Sequence, residues 1–365
     1  MITDEVIDAA FAKLRKKKTK RPEIIAIEKD YQAQREKIRR LIINIIPELS
    51  DGGEEFYPKP CEPTIIFEHG KRRKIFKPEI QEQWVHHIII QVLSPAILKD
   101  SYKVSCGSIP KRGPHYGKQF IEKWIKDAKT TRYCLKFDIR HFYDSIRHDV
   151  LYKELERIVK DSWLILVIKR CLIHFKRGLP LGYYISQWLA NFLLAGIDRL
   201  ICTVTDKYIR YMDDGAAFSS NKRKLQKLIT ALKIKLGRMR LRIKDNYQIF
   251  RIAYTGKDGK THGRDLDIMG FRFNRRHTIL RKSIMISISR KARSFIKGRR
   301  WREKDIRAML SYMGWIKHSQ SYGFYLKYVK PYVKIKKLKQ IVSKLDKRRK
   351  AHDGLDKRIL LQATA

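Results

Sequence analysis

Two adjacent carboxylates, Asp213 and Asp214, interrupt a short apolar stretch that runs from Tyr208 to Phe218. Gly215 follows them, and Asp and Gly in this setting predict a β-hairpin with an acidic tight turn. An exposed surface turn is one explanation of such a sequence. Carboxylates at the end of an apolar strand, however, are costly to ionise unless a cation neutralises them. The pair therefore indicates a phosphoryl-transfer site with two Mg²⁺ ions, which requires one more carboxylate from elsewhere in the chain.

A third carboxylate, Asp138, ends the apolar segment 133–138. An aspartate at the end of a buried strand is well placed to bind a metal ion. An aspartate in this position is also common as a plain helix cap, which needs no metal. If Asp138 does hold the metal, the aromatic rings of Phe142 and Tyr143 lie where a nucleotide sugar can pack.

The chain is strongly basic. Its 365 residues include 82 Lys and Arg against 37 Asp and Glu, which gives a formal net charge of +45. A charge of this size favours binding to a polyanion and gives no advantage to a monomeric metabolic enzyme. A solvated, ribosome-like basic surface is the alternative, but 43% hydrophobic and 11% aromatic residues indicate a folded enzyme with a large core. We infer that nucleic acid is the partner.

The cysteines and the apolar stretches indicate the cellular compartment of the protein. Its five cysteines form no Cys-x-x-Cys pair, so the sequence predicts neither a structural zinc site nor a disulfide framework. The first residues lack the basic and apolar regions of a signal peptide. No apolar stretch approaches the roughly 20 residues of a membrane span. We therefore expect a cytoplasmic protein with no membrane partner.

Hydrophobic periodicity and turn residues predict the main elements. The last of the predicted strands has a glycine at its middle, which suggests a bulge or a close backbone approach. The predicted elements are helices over 4–20, 22–46, 81–98 and 222–241, a hairpin over 63–78, a polar loop over 105–117, strands over 242–252 and 266–273, and a helical, basic and aromatic region over 291–350.

Three basic segments are candidates for binding nucleic acid. The returning strand of the first hairpin has four consecutive cations, more than protection of a sheet edge requires, and these suit a triphosphate or a template backbone. The glycine-rich loop resembles a phosphate loop only weakly. The C-terminal aromatic residues alternate with Lys and Arg, which suits a nucleic-acid strand, although they equally suit the core of this region. The candidates are Lys71, Arg72, Lys111, Arg112, Trp315 and Lys317.

The segment Gly178-Leu179-Pro180-Leu181-Gly182 predicts a rigid turn before an apolar helix. Gln187 and Asn191 are four residues apart in that helix and should share one face. Polar groups in such a helix are satisfied internally or contact a ligand. Hydrogen bonding in the core explains Asn191 equally well, whereas Gln187, near the start of the helix, is better placed for a substrate.

In chain order, these segments resemble the motifs of reverse transcriptases, specifically those of bacterial retroelements. Residues 137–144 resemble the first catalytic palm motif, and residues 178–182 with 186–191 resemble the second. Tyr211-Met212-Asp213-Asp214 matches the third motif, and Met269-Gly270-Phe271 resembles the primer grip. The resemblance extends from about Pro22 to Tyr332, and four motifs in the right order are a specific signal.

The second motif departs from that of group II intron enzymes, which usually have Pro-Gln-Gly where this chain has Ser186-Gln187-Trp188. The Ser-Gln form is more similar to diversity-generating retroelements and to unclassified bacterial reverse transcriptases, several of which serve in phage defence. We find no motif of an RNase H, a Cys-x-x-Cys endonuclease or a nitrilase-like module, and therefore expect a polymerase that depends on partners for priming and template choice.

The resemblance implies specific roles. Asp138, Asp213 and Asp214 would be catalytic and would hold two Mg²⁺ ions, for which Mn²⁺ can substitute, with the backbone carbonyl of Ile139 as a further ligand. One ion would activate the primer 3′-hydroxyl and the other would steady the leaving pyrophosphate. Tyr143 would block a ribose 2′-hydroxyl and so favour deoxynucleotides. The implied nucleotide-binding residues are Arg73, Lys74, Tyr143, Gln187 and Lys244, and the implied primer grip is Met269, Gly270 and Phe271.

The implied fold is an α+β right hand with helical fingers, an antiparallel-sheet palm and a helical thumb. We expect N-terminal finger helices over 1–70, fingers over 71–132, the palm over 133–285 with finger helices at about 155–177, and the thumb with a basic tail over 286–365. The implied partners are dNTPs, a structured non-coding RNA as template, the cDNA product, and an accessory protein or a second reverse transcriptase.

The expected function is RNA-directed synthesis of cDNA from a dedicated non-coding RNA, in anti-phage defence. Diversification of a neighbouring gene fits the same motifs. A template-independent or protein-primed DNA polymerase is a rival within the enzyme class. An RNA-binding scaffold with an inactive polymerase site is the rival from another class, although such a scaffold has no physical need for all three carboxylates.

Overall fold

The computed structural model describes residues 2–68, 70–296 and 301–348. Helices and sheets are mixed along the chain, so the fold is α+β as predicted. The chain divides into two compact units, Met1–Gly117 with Arg132–Phe250, and Lys118–Thr131 with Arg251–Ala365. The predicted basic tail beyond residue 348 lies outside the described residues. None of the helices within the described ranges combines the length and apolar character needed to cross a bilayer.

The first part of the chain alternates helices with short strands. In order it forms α1 (Asp4–Arg15), α2 (Pro22–Lys29), α3 (Tyr31–Ile43), β1 (Thr64–Glu68), β2 (Lys71–Ile75), α4 (Ile80–Asp100), β3 (Ser105–Cys106), α5 (Pro114–Lys126), β4 (Tyr133–Asp138), α6 (Phe142–Ser145), α7 (His148–Leu155), α8 (Ser162–Cys171), α9 (Tyr184–Leu193), α10 (Ala195–Cys202), β5 (Tyr208–Tyr211), β6 (Asp214–Ser219), α11 (Lys222–Arg238) and β7 (Gln248–Arg251).

The predicted N-terminal helices are shorter than expected. The first ends at Arg15 rather than at residue 20, and Lys17 just beyond it has a left-handed φ of 65°. The predicted helix over 22–46 is two helices, because the backbone of Asp30 leaves the helical region at φ −132° and ψ 53°. Periodicity continues across such a break, so the sequence pattern does not reveal it.

A five-stranded sheet in the order β3-β5-β6-β4-β7 forms the centre of the first unit. Strands β4, β5 and β6 pair antiparallel, whereas β3 pairs parallel with β5, so the predicted antiparallel sheet has one parallel edge. Residues 105 and 106 belong to β3 and not to a loop. The strand predicted over 242–252 is ordered as β7 only from Gln248, with an isolated bridge between Ile139 and Ile243.

Helix α4 anchors the hydrophobic core of the first unit. It carries apolar residues around most of its circumference, a pattern typical of a helix buried between other elements. Trp84 is fully buried, its ring packs on Phe11 of α1 at 4.7 Å, and its indole N–H donates to the carbonyl of Ile7 over 3.2 Å. The same core continues through α8, α9 and α11 to the sheet.

The second unit contains short strands followed by helices. These elements are β8 (Tyr254–Thr255), β9 (Thr261–His262), β10 (Leu266–Ile268), β11 (Phe271–Phe273), β12 (Thr278–Leu280), α12 (Lys282–Arg293), α13 (Glu303–Lys317), α14 (Tyr322–Tyr328) and a further helical stretch over 335–348. The strand predicted over 266–273 is a hairpin of β10 and β11. Met269 and Gly270 form its turn at φ 54° and 84°, so the glycine marks a reversal and not a bulge.

The glycine-rich turn predicted at 178–182 contacts the base of the β1–β2 hairpin. The amide of Phe76 donates to the carbonyl of Leu181 over 2.8 Å. Gly182 has a φ of 107°, and a Cβ at this position would lie 2.1 Å from the Phe76 carbonyl oxygen. Only glycine fits both constraints, which explains why this residue type follows Leu181.

We predict that Gly182→Ala destabilises the protein by about 2–3 kcal/mol, because the added methyl overlaps backbone and the φ disfavours an L residue. Urea denaturation should show this as a lower free energy of unfolding. Gly237→Ala is the matched control, since nothing lies within 4 Å of a Cβ there and this glycine is inside α11. The control should be neutral or more stable by about 0.5–1 kcal/mol, and equal losses in both variants would contradict the explanation.

Candidate active site

The acidic hairpin is present, but its turn is not the one predicted. Strand β5 ends at Tyr211 and β6 begins at Asp214, so Met212 and Asp213 form the turn, with Met212 at a φ of 56°. The prediction that Asp and Gly supply the turn is therefore wrong for Gly215, which lies in β6. The ring of Phe137 covers Gly215, where a Cβ would come within 2.3 Å of it.

The structure brings the three predicted aspartates to one end of the sheet. Asp138, the last residue of β4, stands directly opposite Asp214, and Asp214 in turn stands opposite Tyr211. Asp213 lies in the turn that connects these strands. This convergence follows from strand order, because β6 pairs with β4 on one side and with β5 on the other.

Two lysines face the carboxylates. The Lys244 ammonium lies 2.7 Å from an oxygen of Asp138, and the Lys136 ammonium lies 3.8 Å from an oxygen of Asp214. Burial raises the pKa of Asp213, and the negative charge of Asp138 raises it further, while Lys244 and Arg73 oppose that shift. The site therefore concentrates negative charge that its own cations balance only in part.

The donor chemistry of these residues fits a hard divalent cation. Carboxylate oxygens are the ligands that Mg²⁺ prefers, and a cation held by Asp138 and Asp213 would offset the burial and the repulsion that raise the pKa of Asp213. Across the described residues, no three His, Cys, Asp or Glu side chains are already gathered as a metal cluster. Asp138, Asp213 and Asp214 are the residues that would hold the metal.

The backbone carbonyl of Ile139 was a further predicted ligand. The side chain of Ile139 is buried, and the backbone of Ile139 pairs with that of Ile243 in an isolated antiparallel bridge. The hydrogen bonds that flank this bridge use the carbonyl of Asp138 and the amide of Arg140, not the carbonyl of Ile139. The role of Ile139 as a ligand stays a prediction.

Tyr143 lies beside the acidic cluster. Its hydroxyl is buried and has no hydrogen-bond partner among the described residues. Burial raises the pKa of Tyr143, and the charge of Asp213 raises it further. A buried hydroxyl without a partner is costly, so this group is suited to contact a ligand that is not part of the chain.

Gln187 and Asn191 have different environments. Gln187 is exposed on α9, which agrees with a substrate-facing role. Asn191 is buried, and its amide donates to the carbonyls of Gly107 and Gln187 while its oxygen accepts from Arg210 over 3.0 Å. Of the two explanations for Asn191, hydrogen bonding in the core is the one that the structure supports.

The cations of the basic segments in the first unit are exposed in different degrees. Residues 71–74 are all exposed on β2, and Arg73 pairs with Glu68 across the hairpin over 3.0 Å. Lys111 is exposed, whereas the guanidinium of Arg112 donates to Ser101 and to the carbonyl of Tyr102. Arg112 thus has a structural role in its loop, and the predicted contacts of these cations with nucleic acid stay predictions.

The predicted primer grip and aromatic residues belong to the second unit. Met269 and Gly270 form the β10–β11 turn, and Phe271 is fully buried. The Trp315 ring packs on Phe271 with centroids 5.2 Å apart and lies over Gly270, so Trp315, itself half-buried, packs against the core of this unit. Lys317 at the end of α13 is exposed.

A buried ion pair lies behind the acidic turn and was not predicted from the sequence. Arg210 of β5 and Asp198 of α10 are 2% and 1% exposed, and their side chains meet in two hydrogen bonds of 2.7 Å. Although burial opposes the charged form, Asp198 raises the pKa of Arg210. The same guanidinium donates over 2.8 Å to the carbonyl of Met212, the first residue of the acidic turn.

The sequence did contain a signal for this pair. Arg210 interrupts the apolar strand Tyr208–Tyr211, and Asp198 interrupts an apolar helix. A charge in such a place requires an opposite charge nearby. What the sequence does not show is which of the many charged residues provides it.

Comparisons with known proteins agree with these motifs. The family described as "Reverse transcriptase (RNA-dependent DNA polymerase)" matches residues 59–251, which are 193 of the 365 residues. A comparison with curated protein sequences gave no significant match.

Solved structures similar to this chain include telomerases of two yeasts. Telomerase from Candida albicans in complex with the TWJ fragment of telomeric RNA is 13% identical over 75% of this chain and 57% of its own, with a TM-score of 0.47. Apo telomerase from Candida tropicalis is 14% identical over the same shares, with a TM-score of 0.49. This chain thus spans less than two thirds of the length of those telomerase chains.

We predict that Arg210→Met destabilises the protein by about 3–5 kcal/mol, because it leaves the Asp198 carboxylate buried without its partner. The double variant Arg210→Met/Asp198→Asn removes both charges and keeps an acceptor for the Tyr208 hydroxyl, which donates to Asp198 over 2.9 Å. It should recover at least half of the loss in the free energy of unfolding measured by urea denaturation. If the double variant is as unstable as the single one, the uncompensated charge is not the cause.

Proposed function

Because the chain belongs to the reverse transcriptase family, we propose that it catalyses RNA-templated addition of deoxynucleotides to a primer 3′ end. The observation that carries this proposal is the register of the sheet, which sets Asp138 opposite Asp214 with Asp213 in the adjoining turn. This arrangement offers carboxylates from two separate strands and a turn to one reacting centre, as phosphoryl transfer requires.

The surrounding side chains take roles that match their positions. Magnesium, when bound, supplies activation of the primer hydroxyl and charge stabilisation at the α-phosphate. Arg73, whose charge reaches both Asp213 and Tyr143, would bind the triphosphate together with Lys74. Lys244 stands beside Asp138 and would protonate the leaving pyrophosphate. Gln187, exposed on α9, would orient the incoming nucleotide.

The template we propose is a dedicated, structured non-coding RNA, which the protein copies into cDNA in the cytoplasm as part of phage defence. The support is the net charge of +45 and the Ser186-Gln187 form of the second motif. Diversification of a neighbouring gene is the second candidate, because the same Ser-Gln form resembles diversity-generating retroelements. An adenine-mutagenised variable repeat beside the gene would favour diversification over defence.

We predict that Asp213→Asn/Asp214→Asn abolishes DNA synthesis, with a loss of at least about 10³-fold, because two metal-binding carboxylates are removed. Sequencing of the nucleic acids that copurify with each protein provides the measurement. One RNA should be enriched in both samples, and DNA complementary to it should be present only with the wild type. Asp245→Asn, an exposed change next to Lys244, is the matched control and should keep synthesis intact.

Other results of this experiment would favour one of the alternative functions. RNA bound by both proteins without DNA that depends on the aspartates would favour the scaffold. DNA made by the wild type without complementarity to the RNA would favour template-independent synthesis, and a tyrosine joined to its 5′ end would favour protein priming. Synthesis that persists after chelation of divalent cations would contradict the metal-dependent mechanism.

We predict that Tyr143→Val relaxes discrimination against ribonucleotides, because it removes the ring that would meet a 2′-hydroxyl. The ratio of kcat/KM for dGTP to that for GTP should fall by about 10-fold to 100-fold, equivalent to about 1.4–2.8 kcal/mol. Primer extension on a short RNA template gives both constants. Tyr143→Phe keeps the ring and should keep the discrimination; a parallel fall in both variants would assign the effect to the hydroxyl instead.

A further inference from the structure

Two adjoining cavities of about 1030 and 770 Å³ open on the first unit. They share Arg147, Asp149 and Arg240 in their linings, so together they form one continuous depression, here called the basic groove. Its walls are α7, the C-terminal half of α11, and the start of α10 with the end of α9. The segments 140–147, 176–177 and 240–242 complete it.

The groove has a large excess of positive charge. Its described lining contains eleven Lys and Arg side chains and three carboxylates. Each carboxylate is already paired with a cation of the groove: Asp149 with Arg147, Glu154 with Arg157, and Asp100 with Arg199. Eight cations are left without a carboxylate partner in the part of the chain that the structure describes. Repulsion among them weakens the fold unless a polyanion is bound.

The size and chemistry of the lining indicate the class of polyanion. Eight unneutralised cations over this volume exceed what a pyrophosphate or a single nucleotide can neutralise. Most of the cations are arginines, whose forked donors suit phosphate oxygens. Phe192 is the one Phe, Tyr or Trp ring in the described lining, and at 6% exposure it offers no stacking surface for unpaired bases. Of the two imidazoles in the lining, that of His148 is hydrogen-bonded to the Gly178 carbonyl, which leaves His141 as a single exposed ring and too few rings to stack successive bases. The lining is therefore suited to a duplex, whose bases are paired and whose phosphates face outward.

The groove begins next to the candidate active site without including it. The amide of Arg140 donates to the carbonyl of Arg242 over 2.8 Å, and the amide of Lys244 donates to the carbonyl of Asp138 over 2.9 Å. Arg140 and Arg242 thus lie two residues along these segments from Asp138 and Lys244. None of the three aspartates lines either cavity.

We propose that the basic groove binds the phosphodiester backbone of a duplex segment, and that this segment belongs to the folded RNA that the protein copies. The proposal rests on the proposed function for the identity of the RNA, but not for the chemistry of the groove. Backbone recognition of this kind is independent of sequence and strongly dependent on salt. It would hold a structured template beside the active site while its single-stranded part is copied.

The test uses the full chain and a variant in which four groove cations are removed, Lys153→Ala, Lys176→Ala, Arg177→Ala and Arg238→Ala. All four are exposed and lie on three separate segments, so their removal should leave the fold intact. The probe is a blunt 20-base-pair RNA duplex of arbitrary sequence. We expect its Kd to rise at least about 10-fold, and the slope of log K against log salt to fall by about 3–4, since each lost phosphate contact contributes about 0.9.

A charge-matched control and a rescue variant make the result specific. Lys16→Ala, Arg21→Ala, Lys29→Ala and Arg223→Ala remove the same number of exposed cations outside the groove and should leave the Kd within about 2-fold. Exchanging Lys and Arg at the four groove positions keeps the charge and should restore most of the affinity. A groove variant that binds the duplex like the wild type, or a control that loses as much, would overturn the proposal.

Two further arms identify the ligand and separate this proposal from the proposed function. A DNA duplex of the same length tells whether the groove prefers RNA; equal losses on both duplexes support recognition of the backbone itself. Loss of tripolyphosphate binding without loss of duplex binding would overturn the proposal in favour of a small anion. The second arm is extension of a short, unstructured primed RNA, for which the groove variant should have the same kcat as the wild type. If the wild type itself makes no DNA in this assay, the proposed polymerase function fails, whereas the duplex-binding result for the groove is unaffected.

Discussion

The buried contact between Arg210 and Asp198 is the interaction on which the candidate active site depends. One guanidinium joins three elements: it meets Asp198 of α10, Asn191 of α9 and the carbonyl of Met212 in the acidic turn. A turn with a left-handed residue and a half-buried carboxylate is not stable by itself. Because the guanidinium is held by the core, the position of Asp213 is set by the interior of the unit and not by the loop.

The pair is part of a larger hydrogen-bond network that includes Asn191 and the acidic turn. The amide of Asn191 donates to the carbonyl of Gly107, the residue that follows β3, and the amide of Met212 donates to the carbonyl of Cys106 in β3. A partly satisfied polar network in a core costs more than an apolar one, so each member requires the others. The second and third predicted motifs are therefore joined physically through Arg210, although they are distant in sequence.

The sequence was sufficient for the parts that depend on local pattern and on family motifs. The α+β class, the acidic hairpin and the meeting of Asp138 with Asp214 could be predicted because strand ends and carboxylates are visible in the sequence. The residues of the turn could not be predicted. Gly215 is a glycine because the Phe137 ring covers it and not because the chain reverses there, and this contact depends on the register with β4. The break at Asp30 and the Met269-Gly270 reversal were missed because the apolar pattern continues across the residues at which the backbone leaves its regular conformation.

The fold positions the acidic and the basic residues of the candidate site to different degrees, according to their chemistry. Asp138 and Asp214 stand at the ends of two strands of the central sheet, with Asp213 in the adjoining turn, whereas the cations of residues 71–74 stand on a hairpin that is exposed along almost its whole length. That hairpin is fixed at its base, where Phe76 meets Leu181 and Gly182. Metal-binding carboxylates must be placed within fractions of an ångström, but cations that meet a long polyanion act over several ångströms. A rigid acidic centre surrounded by loosely held basic surfaces is thus the arrangement that the two kinds of interaction require.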